Sequence, residues 1–308
     1  MQLKFYTLDL LLIYRHCFGS ITLKKASFIM LSYRHSYHAG NFADVLKHCV
    51  QLAIIEYLKK KDKPFCYHDT HSGAGGYVIA SSEMQKNGEY QSGIGKLFGR
   101  KTDVDVIDQY VDLIGALNAS GRLNNYPGSP QIALLAKRSI DRMQLTELHP
   151  ADFSHLQQML GKRKKVKVYQ QDAWQGLKAM LPPAEKRGLV LIDPSYEVKQ
   201  DYKTIVTSLQ EAHKRFSAGV FAIWYPVLER DATEQFIRSL AQAGISNMLR
   251  IEHCVLPDDE NGMTGSGMIV VNPPYTLKAD MEKALPVLSK LLNSGGDSSF
   301  IIEQLTKE

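Results

Sequence analysis

The sequence predicts an α/β protein whose sheet is mostly parallel and covered by helices on both faces. Three observations lead there. From Lys63 onward, short β-rich runs alternate with helical patterns, the rhythm of strand–helix–strand units. Several of the apolar runs stop at a turn that carries an acid or glycines, as strands do at the ligand-binding edge of such sheets. The last two runs are separated only by "DDENGMTGS", too short for a parallel crossover, so the final strand is expected to be antiparallel.

The expected strands, in order, are "PFCYHDT" (64–70), "RMQLTELH" (142–149), "KVKVYQQD" (165–172), "GLVLIDP" (188–194), "GVFAIWYP" (219–226), "MLRIEHCVLP" (248–257) and "GMIVVNPP" (267–274). Helix patterns such as "ADFSHLQQML" and "DATEQFIRSLAQA" lie between them. The interval 76–141 is about twice what one crossover needs. Its "EYQSGIGKLF" and "VIDQYVDLIGAL" have helical periodicity, so a small inserted helical subdomain is expected. No internal repeat is visible, and the tail 293–308 reads as loose.

The 308 residues suit one large domain, and 44% hydrophobic with 22% charged residues is the composition of an ordinary globular protein. A net charge of +5 is compatible with a polyanionic partner without demanding one. Cys17, Cys49, Cys66 and Cys254 are scattered with no CxxC pair, which argues against a disulfide framework or structural zinc and for a reducing, cytoplasmic setting. In residues 1–29, "LDLLLIY" is too short to span a membrane, and Asp9 spoils a signal-peptide core. Met30 is the expected working start of a domain 30–292; the alternative is an appendage that docks on it.

The chemistry-bearing residues fall at strand ends. The first strand runs into "DTHSGAGG", where Gly73 and Gly75 allow a sharp turn and close approach of a ligand to the backbone, although the third glycine of a dinucleotide fingerprint is absent. Glu147 ends the second strand and can accept from ribose hydroxyls, or can serve the start of the following helix. Asp172 ends the third and can accept from an adenine amino group, or can cap a helix. The fourth ends in Asp193-Pro194-Ser195-Tyr196. The exocyclic amine of adenine is a poor nucleophile because its lone pair is delocalised into the ring. The Asp193 carboxylate and the Pro194 carbonyl, placed on the amine hydrogens, favour a pyramidal nitrogen, while Tyr196 stacks on the base. What remains is in-line displacement of a methyl group from a sulfonium, a step that needs positioning and electrostatics rather than a metal. Each signal is common alone. Their order, on the C-terminal ends of successive parallel strands, has one geometric explanation.

From Met30 to about Leu292 the chain closely resembles the RlmJ family of bacterial large-subunit rRNA adenine-N6 methyltransferases. The resemblance is carried by "MLSYRHSYHAGNFADVLKH", "DTHSGAGGY", "GEY", "YPGSP", "LTELHP" and "GMTGSGMIVVNPP". It implies a class I S-adenosylmethionine-dependent methyltransferase, Rossmann-like, with a seven-stranded sheet, an antiparallel last strand and a helical insertion. It implies an enzyme acting on an adenine of 23S ribosomal RNA, with S-adenosylmethionine as cofactor, no membrane or metal partner, and a monomer as the default. Residue by residue, Asp193 matches the catalytic acid. Lys47, His48, His71, Ser129, Glu147, and Asp172 with Ala173, match cofactor-contacting positions, and Tyr33 matches a tyrosine at the substrate mouth. Ser195 departs from the family, which has a second proline there. The Pro194 carbonyl survives the change, but the rigidity a following proline would give is lost, so a working but slower enzyme is expected.

"NPPY" (272–275) matches the short acceptor-turn pattern better than Asp193–Tyr196 does. It follows the antiparallel strand, however, so its end is expected to point away from the cofactor edge, as a structural turn. His35, His38 and His48 show no zinc spacing with a companion acid, and His68 reads as strand packing. "GKRKKVKV" (161–168) is either a phosphate-binding patch or a solvated loop. Two alternatives to rRNA methylation remain open: a methyltransferase acting on DNA or another RNA, and a non-catalytic RNA-binding or assembly factor in which Ser195 marks loss of the site. Nothing in an oxidoreductase would explain the Asp-Pro-Ser-Tyr turn.

Overall fold

The computed structural model describes residues 35–196, 200–293 and 298–307. Tyr33 and residues 1–29 lie outside them. In chain order the elements are α1 (Phe42–Lys59), β1 (Cys66–Asp69), β2 (Gly76–Val78), α2 (Ser82–Asn87), α3 (Ile94–Leu97), α4 (Asp105–Leu117), β3 (Asn125–Pro127), α5 (Ser129–Ala136), β4 (Arg142–Glu147) and α6 (Pro150–Leu160). They continue with β5 (Val166–Gln170), α7 (Ala173–Met180), β6 (Gly188–Ile192), α8 (Gln200–Arg215), β7 (Val220–Val227), α9 (Arg230–Ala241), β8 (Met248–Cys254), β9 (Gly265–Val271), α10 (Leu277–Leu292) and β10 (Ser299–Thr306).

Eight strands form one sheet in the order β10-β8-β9-β7-β6-β1-β4-β5. From β5 to β7 all neighbours are parallel. β6 and β7 are apolar and buried at every position because helices cover both faces. β9 runs antiparallel to both β7 and β8, as the short loop before it requires. The strand count is corrected: a further strand, β10, pairs antiparallel with β8. It is formed by Ser299–Thr306, within the tail expected to be loose. Its alternation was hard to see because the strand lies at the sheet edge and none of its residues is buried.

The interval between β1 and β4 holds the expected helices and also a two-stranded antiparallel ribbon of β2 and β3. α1 is the central helix. Asn41 caps it by accepting from the Ala43 and Asp44 amides, and the helix is buried along most of its length, as a helix enclosed by sheet and insertion must be. Gly93 in the insertion crosses the backbone just before α1 so closely that a Cβ there would sit 2.1 Å from the Gly40 carbonyl oxygen. The Ile94 amide donates to that same oxygen at 2.8 Å. No helix among the described residues is long and apolar enough to cross a membrane.

Candidate functional site

The parallel strands deliver their C-terminal ends to one edge, and the loop after β1 is laid along it by backbone bonds. The Thr70 amide donates to the Leu191 carbonyl at 3.1 Å, and the Ser72 amide to the Thr146 carbonyl at 2.9 Å. Gly73 and Gly75 have φ of +58° and +85°, conformations that a side chain would strain. The Gly73 amide donates to Glu147 Oε2 at 2.7 Å, and the His149 amide to Oε1 at 2.7 Å. Burial pushes the Glu147 carboxyl above its usual range, against these bonds. Each oxygen retains acceptor capacity for a ligand hydroxyl.

Asp172 is indeed a helix cap: Oδ1 accepts from the Trp174 and Gln175 amides at 3.1 and 3.0 Å. Oδ2 has no partner among the described residues and stays available at the end of β5. Ala173 is buried as the first residue of α7. His71 Nδ1 lies 2.8 Å from the Thr70 hydroxyl, and its ring meets Trp174 edge-on. Burial lowers the His71 pKa to about 4, over the opposing pull of Asp193 and Asp172, so the ring is neutral near pH 7.

Two of the expected contacts sit deeper. His48 is fully buried, with Nδ1 2.8 Å from the Tyr126 hydroxyl, and burial lowers its pKa to about 3. The Ser129 hydroxyl donates to Asp69 Oδ2 at 2.7 Å. That carboxylate also accepts from the Tyr67 hydroxyl at 2.7 Å. Asp69, at the end of β1 and wholly buried, was not singled out from the sequence. Burial raises its pKa to about 6, against the bonds from Ser129 and Tyr67.

Asp193 and Pro194 follow β6 directly. Asp193, Ser195 and Tyr196 on one side and the start of α1 on the other border a cavity of about 430 Å³, a size suited to a small organic group. Lys47 enters it from α1. Its ammonium lies 2.5 Å from Asp193 Oδ2 and 2.8 Å from Asp44 Oδ1, with only 3% of the side chain exposed. Burial alone would lower the Lys47 pKa; Asp193 and Asp44 outweigh it, and the net shift is upward, so the lysine is charged. Asp44 also accepts from the Gly40 amide at 2.8 Å and lies 3.0 Å from His35 Nε2. Its position three residues before Lys47 on a helix was the signal that could have revealed it. Lys47, expected at the cofactor, therefore bonds directly to the candidate catalytic acid. The Pro194 carbonyl accepts no hydrogen bond among the described residues.

Tyr196 borders the cavity but is 7% exposed, in a left-handed conformation with φ +56°. Its hydroxyl donates to the Trp224 carbonyl, and its ring packs against Tyr202, Trp224 and Phe236. The remaining cavity wall includes Trp224, Pro226, Leu228 and Met263, with Glu89 and Ser92 from the insertion at its rim. Among the described residues no cluster of His, Cys, Asp or Glu could hold a metal ion.

The second Asn-Pro-Pro-Tyr turn lies elsewhere. Val271 pairs with Phe221 near the start of β7, so the turn after β9 is at the edge opposite Asp193. The Asn272 side-chain amide donates to the Ser217 and Gly219 carbonyls at 2.7 and 2.8 Å, a structural use of that residue.

Comparison with known proteins agrees with this architecture. The family described as Ribosomal RNA large subunit methyltransferase D, RlmJ, matches residues 62–301. The chain is 50% identical over 268 residues to Ribosomal RNA large subunit methyltransferase J of Escherichia coli, covering 86% of this chain and 96% of that protein. It is 49% identical over 281 residues to the protein of the same name from Haemophilus influenzae, covering 91% and 100%. The crystal structure of a Legionella pneumophila protein superposes with a TM-score of 0.81 at 41% identity, covering 87% of this chain and 98% of that one. With a family match over residues 62–301 and about half its residues identical over nearly the full length of these relatives, the chain belongs to the RlmJ family of large-subunit ribosomal RNA methyltransferases.

Proposed function

We propose that the chain methylates the N6 amine of an adenine in 23S ribosomal RNA. The cofactor is S-adenosylmethionine, which when bound supplies a methyl group on a sulfonium and leaves as a neutral thioether. The edge residues fit it: positive-φ glycines permit close approach to the backbone, Glu147 retains acceptor capacity at the end of β4, and Asp172 Oδ2 is unused at the end of β5.

The observation that carries the reading is the pair of acceptors just after β6, with Asp193 on the cavity wall. The Asp193 carboxylate and the unbonded Pro194 carbonyl follow each other in the chain and suit the two hydrogens of an exocyclic amine. Accepting both draws the nitrogen lone pair out of conjugation, and Asp193 is the base nearest to the proton released as the new N–C bond forms. Lys47 fixes the carboxylate through Oδ2 and leaves Oδ1 for the substrate. The apolar wall of Trp224, Pro226 and Met263 suits a base extruded from its stack, the way enzymes reach ring substituents of nucleic acids. Tyr196, held in its aromatic cluster, shapes that wall, and base stacking on it uses whatever part of the ring the cavity exposes. Tyr33 is the proposed residue at the mouth.

The test is transfer of labelled methyl from S-adenosylmethionine to protein-free large-subunit rRNA lacking the modification, followed by digestion to nucleosides. N6-methyladenosine from wild type, with at least a hundredfold loss in Asp193→Ala, supports the reading. Cofactor binding without transfer would overturn it and point to the assembly-factor alternative, in which Ser195 has silenced the site.

A further inference from the structure

The parallel strands are entered from the edge opposite the cavity, and the chain there is strongly basic. The segments leading into β1, β5, β6 and β7 contain "KKKDK" (59–63), "KRKK" (162–165), "KR" (186–187) and "KR" (214–215). Every position but Asp62 is cationic, although the whole chain carries only +5. The cavity edge has the opposite character, with Asp258, Asp259 and Glu260 between β8 and β9. Charge is therefore polarised across the sheet.

The segment before β1 is tied through its backbone carbonyls to Arg187 before β6 and to Arg138 before β4. The Arg138 guanidinium donates to the Lys59, Lys61 and Lys63 carbonyls, and Arg187 to the Lys63 and Leu58 carbonyls. The arginines thus hold the loops while residues 60–63 and 162–165 stay exposed. Lys61, Lys63, Lys162 and Lys164 have no acidic partner among the described residues. A stripe in which lysines outnumber acids, and several have no acidic partner, is self-repelling and is relieved by a polyanion.

The Asn-Pro-Pro-Tyr turn left unused by the catalytic reading ends at this edge. Tyr275 is 79% exposed, and its ring stands edge-on to Tyr57 at 5.5 Å, with the Lys60 ammonium 5.7 Å from the centre of the Tyr57 ring. Asn272 anchors the turn to the chain before β7. An aromatic ring held in water beside lysines is the arrangement on which unpaired bases stack.

We infer that this edge is a second RNA-contact surface, separate from the cavity, in which the basic stripe binds phosphates and Tyr275 stacks an unpaired base. The inference rests on RNA being the substrate. From β9 to β5 the stripe crosses five strand spacings, about 24 Å, and the length of β6 puts it about 17 Å or more from the cavity. An RNA of more than a few nucleotides extends far enough to touch both, whereas a single nucleotide does not.

The test measures binding of wild type, Lys162→Ala/Arg163→Ala/Lys164→Ala and Tyr275→Ala to protein-free large-subunit rRNA over a range of salt. The triple variant is expected to bind at least tenfold more weakly at physiological salt, with the slope of log affinity against log salt reduced by about two. Tyr275→Ala is expected to lose at least fivefold with an unchanged slope. The charge-conserving variant Lys162→Arg/Arg163→Lys/Lys164→Arg is expected to bind as wild type. KM for full-length rRNA rises in the triple variant, while kcat at saturation, cofactor affinity and methylation of a short oligonucleotide bearing only the target are unchanged. Unchanged affinity and slope in the triple variant would overturn the inference, as would loss of binding to phosphatidylserine vesicles with rRNA binding intact. Wild type that binds rRNA but transfers no methyl to it overturns the catalytic reading alone, and the binding comparison still decides this one.

Discussion

Lys47 is a lysine nearly out of water whose charge survives only because two acids face it. Removing it leaves Asp193 without its cation, and Asp44 with only His35 and the Gly40 amide, in a site that offers little solvent. Lys47→Met is therefore expected to lower unfolding free energy by about 3 kcal/mol or more in urea titration, and to lower methyl transfer further than the lost stability explains. A variant as stable as wild type would mean that the acids shed their charge instead. Asp69 behaves in the opposite sense. An unfolded aspartate titrates near 3.9, whereas burial raises Asp69 to about 6. The fold thus prefers the protonated form, so this group favours the native state at pH 4 and loses that contribution as pH rises toward 6. Two units correspond to about 3 kcal/mol. Asp69→Asn cannot ionise, so its stability relative to wild type is expected to improve by about that amount between pH 4 and pH 7. A pH-independent difference would show that Asp69 titrates normally. Asp44 could be found only from its spacing to Lys47 on one helix, and Asp69 not at all, since the partners that define it include Ser129, 60 positions away.

At the scale of elements, the alternating strands and helices were legible because β6 and β7 are nearly pure apolar runs buried on both faces, and because β-rich runs and helical patterns alternate around them. The direction of β9 was legible from loop length alone, and with it the fate of the second Asn-Pro-Pro-Tyr turn. β10 was not: a half-exposed edge strand mixes polar and apolar residues and lacks the signal of a buried one. It nevertheless covers the whole outer side of β8. Truncation after Leu292 is expected to lower Tm by several degrees and to promote association, since β8 would become a seven-residue edge strand with unpaired backbone groups. Unchanged Tm and solubility would make β10 an ornament. The crossing of Gly93 over Gly40 was equally invisible, because neither residue's requirement is local. Gly93→Ala is expected to cost more than about 2 kcal/mol, since the clash is with backbone rather than with a movable side chain. The Gly95→Ala variant next to it, where a Cβ would come no closer than 3.0 Å to any atom, is the milder control.

For the molecule as a whole, composition gave a mild positive charge, and topology gave it a direction. The sequence displays "KRKK" and "NPPY" as unrelated local features; only the strand order puts both on the edge away from Asp193. The acids at the strand ends were readable because one rule of parallel sheets places them together. The lysine that meets Asp193 was not, since no periodicity connects α1 to β6. The polarity predicts that rRNA binding by wild type weakens steeply between 50 and 200 mM salt while cofactor affinity hardly changes. Equal salt sensitivity of both ligands would mean that the charge acts on the site directly.

The bond between Lys47 and Asp193 joins positions 146 residues apart. On the ribosome the chain emerges from its N-terminus, so α1 is made long before the strand that completes its business end. Until β6 has entered the sheet, Lys47 has no Asp193 to meet and the cavity has no second wall. A chain that ends before β6 lacks the Lys47–Asp193 pair and with it the site proposed for methyl transfer, so that site forms only after more than half of the chain has been made.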